Sequence, residues 1–225
     1  MGNAIGQVLP FAVGVLLSPM PVIAVVLMLV TSKARINGPA FLLGWILGLA
    51  VIGTIALSLV DSGSNENAGE PETWVSWLKL VLGVLLLLLA FRSWKARPAA
   101  GQEAPVPKWM NAIDTFTPLK AAGAAFLLSG INPKNLLLTI AAAAAVTQTG
   151  ASGADQAIAW AVFVIIGSIG IAAPVVIFFA MGDRAAAILQ NLKAWMAHNN
   201  SAIMAVLCLI IAAKLIGDAI SGLST

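Results

Sequence analysis

Tyrosine is absent from this 225-residue chain, cysteine and histidine occur once each (Cys208 and His198), and only 9% of residues are charged. Each scarcity excludes something. A single thiol cannot form an internal disulfide or a paired-thiol relay. One histidine, with no Cys, Asp or Glu gathered round it in sequence, argues against a metal site, which needs three or four such ligands, and no cofactor is expected. There is no P-loop, so ATP is not used directly. No nucleophile–base pair and no carboxylate cluster marks a membrane enzyme. A net charge of +3 is too small to suggest nucleic acid as a partner. The first charged residue is Lys33, so the N-terminus lacks the basic region that opens a secretory signal. Against these absences stand a hydrophobic content of 60% and a mean hydropathy of +0.97. A soluble domain carries about 25% charged residues. This chain has too few to cover a globule in water, and its solvent must be the bilayer.

A membrane-crossing helix needs about 20 mostly apolar residues. Six stretches qualify: 5–30, 38–60, 74–94, 119–146, 157–181 and 200–221. The loops between them alternate in charge. The first carries Lys33 and Arg35. The second carries Asp61, Glu66, Glu70 and Glu72 and no basic residue. The third holds Arg92, Lys95, Arg97, Lys108 and Lys120 within it or at its edges, the fourth only Asp155, and the fifth Arg184 and Lys193. Basic loops stay in the cytoplasm. All three are odd-numbered, which puts both termini outside. Trp74 and Trp77 at the start of span three and Trp94 at its end suit the two interfaces. In the fifth loop Ala185, Ile188, Leu189, Leu192, Trp195 and Met196 recur at helical spacing, which predicts either a helix lying in the cytoplasmic interface or an extension of span five.

The long third loop has prolines at 98, 105, 107 and 118 and divides the chain into 1–94, a cytoplasmic linker 95–118, and 119–225. The two halves resemble each other. Pro19 precedes Trp45 by 26 positions and Pro133 precedes Trp160 by 27, while Gly38 and Gly153 each precede their tryptophan by seven. Three spans per half make the halves enter from opposite faces. The expected fold is an all-α membrane protein of six transmembrane helices, a 3+3 inverted-topology repeat with helices one and four interrupted. Such repeats are typical of secondary transporters.

The interruptions are Ser18-Pro19-Met20-Pro21 and Gly130-Ile131-Asn132-Pro133. Proline removes a helical hydrogen bond and clashes with the preceding turn, and the residue before it is pushed from α geometry. Ser and Asn are preferred N-caps and Pro is favoured at the first helical position, so each motif predicts a new half-helix starting near mid-membrane. Irregular backbone at that depth must be buried in protein or line a cavity. Helix N-termini carry partial positive charge and free N–H groups, and two of them converging would make an anion site. Lys134 lies about 20 Å of helix from either end of span four. A cation there costs at least ~2.5–3.5 kcal/mol, and no acid lies in spans one to five. It therefore either binds a negative head group, with Asn132 and Asn135 beside it, or snorkels along a water-filled crevice. Lys214 and Asp218, four apart, are expected to pair with each other. Ser18, Pro19, Pro21, Asn132, Pro133, Lys134 and Asn135 form the candidate substrate site.

Other features read as packing. Ala40, Gly44 and Gly48 form a small-residue ridge, suited to an internal contact or a homodimer seam. Pro174 could kink span five, where Gly167 and Gly170 favour close approach. Ala141–Ala145 makes a thin helix face.

The stretches LLSPMPVIAVVLMLVTSKARINGPAFLLGWILG (16–48) and AFLLSGINPKNLLLTIAAAAAV (125–146) resemble the GAP family, the glycolipid- or sulfolipid-addressing proteins of mycobacteria and other actinobacteria, within the lysine exporter superfamily. The likeness extends over essentially the whole chain, with the Ser18–Pro21 and Asn132–Asn135 blocks its most specific parts. It implies a plasma-membrane protein that exports or flips an anionic, polar-headed envelope lipid, and it is the sole source here of substrate and direction. The alternatives are a small-molecule exporter for an amino acid or anion, and a non-transporting scaffold for lipid-synthesis partners.

Overall fold

In a computed structural model of the protein, residues 1–66, 73–97 and 108–224 are described, without the side chains of 61–66, 108–111 and Asp183. They contain helices α1 (Gly2–Leu16), α2 (Pro19–Leu29), α3 (Ala34–Glu66), α4 (Thr73–Lys95), α5 (Pro118–Gly130), α6 (Pro133–Thr147), α7 (Gly153–Met181) and α8 (Ala185–Leu223), with 3-10 segments at Lys108–Thr115 and Gly182–Arg184. Glu70, Glu72, Pro98, Pro105 and Pro107 fall outside the described residues, as do the side chains of Asp61 and Glu66.

α3, α4, α7 and α8 are each long and apolar enough to cross a membrane, and α1–α2 and α5–α6 qualify as pairs, bent by 52° and 58° at their breaks. The described chain thus has four candidate spans, or six if each bent pair is one. No more than 39% of the apolar window of any of the four is buried. Leu43, Leu59, Leu88, Ile165, Val176 and Ile210 are each more than half exposed. In water every such side chain would forgo ~1.5–3 kcal/mol of burial, whereas in lipid it is already solvated. This is a multi-pass membrane protein.

Both bent pairs run the length of an unbroken neighbour. The Met1 amine at the start of α1 bonds Asp155 at the start of α7 at 3.1 Å. At the other end, Leu29 of α2 shares a cleft with Phe178 and Phe179 of α7. Likewise Asn37 at the start of α3 donates to Phe116 O just before α5 at 3.0 Å, and Ala143 and Ala144 of α6 pack on Ala56 and Val60 far along α3. The most extensive contact is α4 on α8, followed by α3 on α5 and α1 on α7, and α3 also packs on α7.

Small residues set the closest approaches. A Cβ added at Gly44 would meet the Ala122 carbonyl, and one at Gly48 would meet Ser129 and Phe126. The Ala40/Gly44/Gly48 ridge is therefore the internal α3–α5 contact. Overpacking of a fitted interface costs ~1–3 kcal/mol even where neighbours can yield. Here backbone blocks relief, so Gly48→Leu should lower the melting temperature in detergent by at least 5 °C in a thermal-shift measurement, while Gly123→Leu, whose Cβ would meet nothing within 4 Å, should leave it unchanged. The alanines of 141–145 are buried.

The fifth-loop stripe belongs to neither element expected for it. α7 runs through Pro174 to Met181, Gly182 turns the chain at φ +54°, and 185–199 begins α8, continuous with the sixth hydrophobic segment. Glycine alone adopts that φ without strain, so span five has to end there. Ala186 and Leu189 then close over Leu29 and Phe178.

Candidate functional site

The two breaks lie side by side. Ser18 Oγ donates to Val15 O at 2.6 Å and contacts Asn135 Oδ1 at 3.0 Å, tying the start of α2 to the first turn of α6. Asn135 is fully buried, and its Nδ2 donates to Leu128 O of α5 at 3.0 Å, so it bridges the second break as well. Asn132 caps α6, its Oδ1 accepting the Lys134 N–H at 3.1 Å.

Lys134 is 3% exposed and has no ion pair among the described residues. Its ammonium donates to Gly14 O at 2.7 Å and to Leu17 O at 3.4 Å, carbonyls that the interruption of α1 leaves without helical partners. The charge thus rests against the negative end of α1, where a cation is stabilised, and these bonds use two of its three donors. The ammonium is thus held among backbone carbonyls and does not extend to the protein surface.

The half-helix starts offer fewer amides than a regular helix N-terminus, and the prolines themselves are the reason. Pro19, Pro21 and Pro133 have no N–H. The Val22 and Leu136 amides bond back to Ser18 O and Asn132 O, and that of Lys134 is taken by Asn132. Lys134 supplies the full positive charge at this point, and the helix starts add partial charge to it.

Beside the breaks is a cavity of about 260 Å³. Ser18, Pro19, Met20 and Pro21 line it from the first break, and Asn132 and Lys134 from the second. Ser93 and Ala96 close it from α4, and Asn200, Ser201 and Met204 from α8. Of the seven residues expected from the sequence, five line the cavity. Asn135 lies behind the wall as a brace, and Pro133 starts α6 without being a lining residue. The contributions of α4 and α8 were missed. The polar run His198-Asn199-Asn200-Ser201, just before the apolar stretch 202–213, was the available signal. Asn200 Oδ1 is buried without a hydrogen-bond partner.

Along the same α4–α8 seam is a groove of about 270 Å³ lined only by apolar residues: Leu87, Ala90, Phe91 and Trp94 of α4, and Ala205, Val206 and Leu209 of α8. Ser93 and Met204, in the cavity wall, are each next in sequence to a groove residue.

At the opposite end of the bundle, Lys214 bonds Asp218 at 2.6 Å, as expected from their spacing. Lys79 of α4, a buried lysine that sequence reasoning passed over, is 4.0 Å from the same carboxylate and donates to Gln148. Among the described residues no group of three or more His, Cys, Asp or Glu could hold a metal ion.

Long helices with much of their apolar surface exposed, and two proline-broken helices meeting beside a partly polar cavity, define an integral membrane protein with a candidate site at its breaks. The match to a family model is equally extensive. The chain belongs to the Sap, sulfolipid-1-addressing protein, family, whose model covers residues 8–221. No curated protein and no solved structure matches it. Family and fold together point to a non-catalytic membrane protein with a lipid-related role.

Proposed function

We propose that the protein is a secondary-type transporter in the plasma membrane that exports or flips an anionic, polar-headed lipid such as a sulfated glycolipid. The observation that carries this reading is the presence of two unlike spaces along the α4–α8 seam: a partly polar cavity lined by Lys134, and a wholly apolar groove lined by neighbouring residues of the same two helices. A head group with an attached chain fits both at once. A soluble amino acid or anion has no use for the groove.

Each bent pair is read as one broken span, which makes six crossings. A 3+3 inverted repeat is supported by the packing. Exchanging the halves maps α1 on α7 into α5 on α3, and α2 on α8 into α6 on α4; all four contacts exist. The tryptophans obey the same exchange. Trp45 of α3 donates to Gly167 O of α7 at 3.1 Å, and the Trp160 ring of α7 lies against Gly53 of α3. The cavity end carries Lys33, Arg35, Arg92, Lys95, Arg97, Lys120, Arg184 and Lys193, and this excess of basic residues supports a cytoplasmic cavity end with both termini outside. The cavity then receives the head from the inner leaflet, and relative movement of the halves carries it outward. A place in the wider lysine exporter superfamily is part of the same proposal.

The test uses purified protein in liposomes with a fluorescent sulfated galactosylceramide, scored by quenching of the label in the outer leaflet. The protein should accelerate flipping of this lipid, and Ala205→Trp, which fills the groove, should slow it at least tenfold in protein that remains folded. No acceleration would leave a scaffold role, and counter-transport of a labelled soluble anion unaffected by Ala205→Trp would favour a small-molecule exporter.

A further inference from the structure

The cavity accounts for one end of the α4–α8 seam. The other end is held by charged side chains from both halves. Lys214 of α8 donates to Asp218 Oδ2 at 2.6 Å and to Gln7 Oε1 of α1 at 3.1 Å. Lys79 of α4 approaches the same Oδ2 at 4.0 Å and donates to Gln148 at the end of α6. One carboxylate oxygen therefore sits between two ammonium groups on different helices, with α1 and α6 drawn in by their glutamines. Asp218 is one-third exposed, so the oxyanion position can be reached from outside the protein. Lys79 is almost wholly buried.

The two ends of the seam differ in closure. At the cavity end the bond joining α4 to α8 is Ser201 Oγ to Ala96 O, 3.3 Å and exposed. At the charged end the helices touch closely: a Cβ at Gly222 would lie 3.5 Å from Ser76 Cβ. An ion pair with one buried partner is stable only while its geometry holds, because separation leaves a charge without compensation. A second anion of suitable position removes that penalty.

We propose that Lys79 and Lys214 form a second anion-binding site for the oxyanion of a lipid head group, and that Asp218 is its built-in occupant, holding the seam shut until the head displaces it. The identity of the ligand rests on the transport reading above; the closure by Asp218 does not. The head would pass from Lys134 to this pair as the charged end opens, and Asp218 would return once the lipid has left. A sulfate or a phosphate ester offers the same oxyanion, and head groups of either kind can be compared.

The closure can be read without measuring transport. Disulfides have Cβ–Cβ separations of about 3.5–4.5 Å, so Ser76→Cys with Gly222→Cys, in a Cys208→Ala background, reports contact at this end by its rate of oxidative cross-linking. In liposomes containing sulfated galactosylceramide, cross-linking should be at least threefold slower than with galactosylceramide lacking the sulfate. A phosphatidic acid series separates phosphate from sulfate preference. Asp218→Asn should slow cross-linking with no added lipid, and should lower the sulfated-lipid concentration giving half effect. Asp218→Glu should restore the parent rate. If Asp218→Asn does not fold, Lys214→Gln removes the same bond from its other side and should also slow cross-linking. Equal rates with sulfated and unsulfated lipid, or an unchanged rate when the bond is removed, would overturn the site. Flipping activity with an unresponsive cross-link removes this proposal alone, whereas a responsive cross-link with no flipping keeps the site and removes transport.

Discussion

Lys134→Met is expected to reduce flipping of a sulfated lipid at least a hundredfold and to lower stability by about 2–4 kcal/mol. The two effects have separate origins. The ammonium satisfies Gly14 O and Leu17 O at the interrupted end of α1. Methionine has similar length and no donor, so both carbonyls lose their partner in a buried setting, at ~1–3 kcal/mol for each group left unpaired. The favourable interaction of a cation with the negative end of α1 disappears too. The functional loss comes from the cavity, in which Lys134 is the one cationic lining residue among the described residues. Lys134→Arg keeps the charge and donors, so it should retain folding and part of the flipping rate. A folded Lys134→Met protein that flips the sulfated lipid at the parent rate would remove Lys134 from the mechanism and leave it a purely structural cap.

Ser93→Asp is expected to fold and yet discriminate strongly against anionic lipid. Ser93 lines the cavity from the last turns of α4 and is only half-buried, so a small acidic side chain can be accommodated there. Its carboxylate would sit in the space assigned to the head group. Across roughly 6 Å in an effective dielectric of about 20, two like unit charges repel by ~3 kcal/mol. That corresponds to about a hundredfold in binding. The measurement is the ratio of flipping rates for sulfated and unsulfated galactosylceramide, which should fall by one to two orders of magnitude against the parent protein. An equal effect on both lipids would mean that the aspartate blocks the cavity sterically, and that charge is not what it reads.

The breaks were legible because their cause is local. Pro19 and Pro21 two residues apart, and Pro133 next to the capping Asn132, each restart a helix through the proline ring, the missing N–H and the cap-forming residue before it, whereas the single Pro174 is carried within α7. Small residues at 40, 44 and 48 announced a close helix contact, though not that α5 is the partner. The acceptors of Lys134 were not legible, since Gly14 and Leu17 are more than 110 residues away and no periodicity links them. The same holds for Ser93, Asn200 and Ser201, which become part of the site only because α4 and α8 pack together beside the breaks. α8 was divided wrongly at its start because a helix longer than the bilayer core has no compositional mark where it leaves the membrane. The shortage of amides at the half-helix starts could have been read, because the residues that interrupt the spans are the ones that lack the N–H.

The most direct measurement is a density map of the protein in a lipid nanodisc with a sulfated glycolipid bound. The sulfate should lie between Ser18 and Asn132 within hydrogen-bond reach of the Lys134 ammonium, and an acyl chain should follow Ala90, Trp94, Ala205 and Leu209. A map with α1–α2 and α5–α6 as unbroken rods, or with the sulfate away from both breaks and the Leu87–Leu209 groove filled by ordinary bilayer lipid, would contradict it.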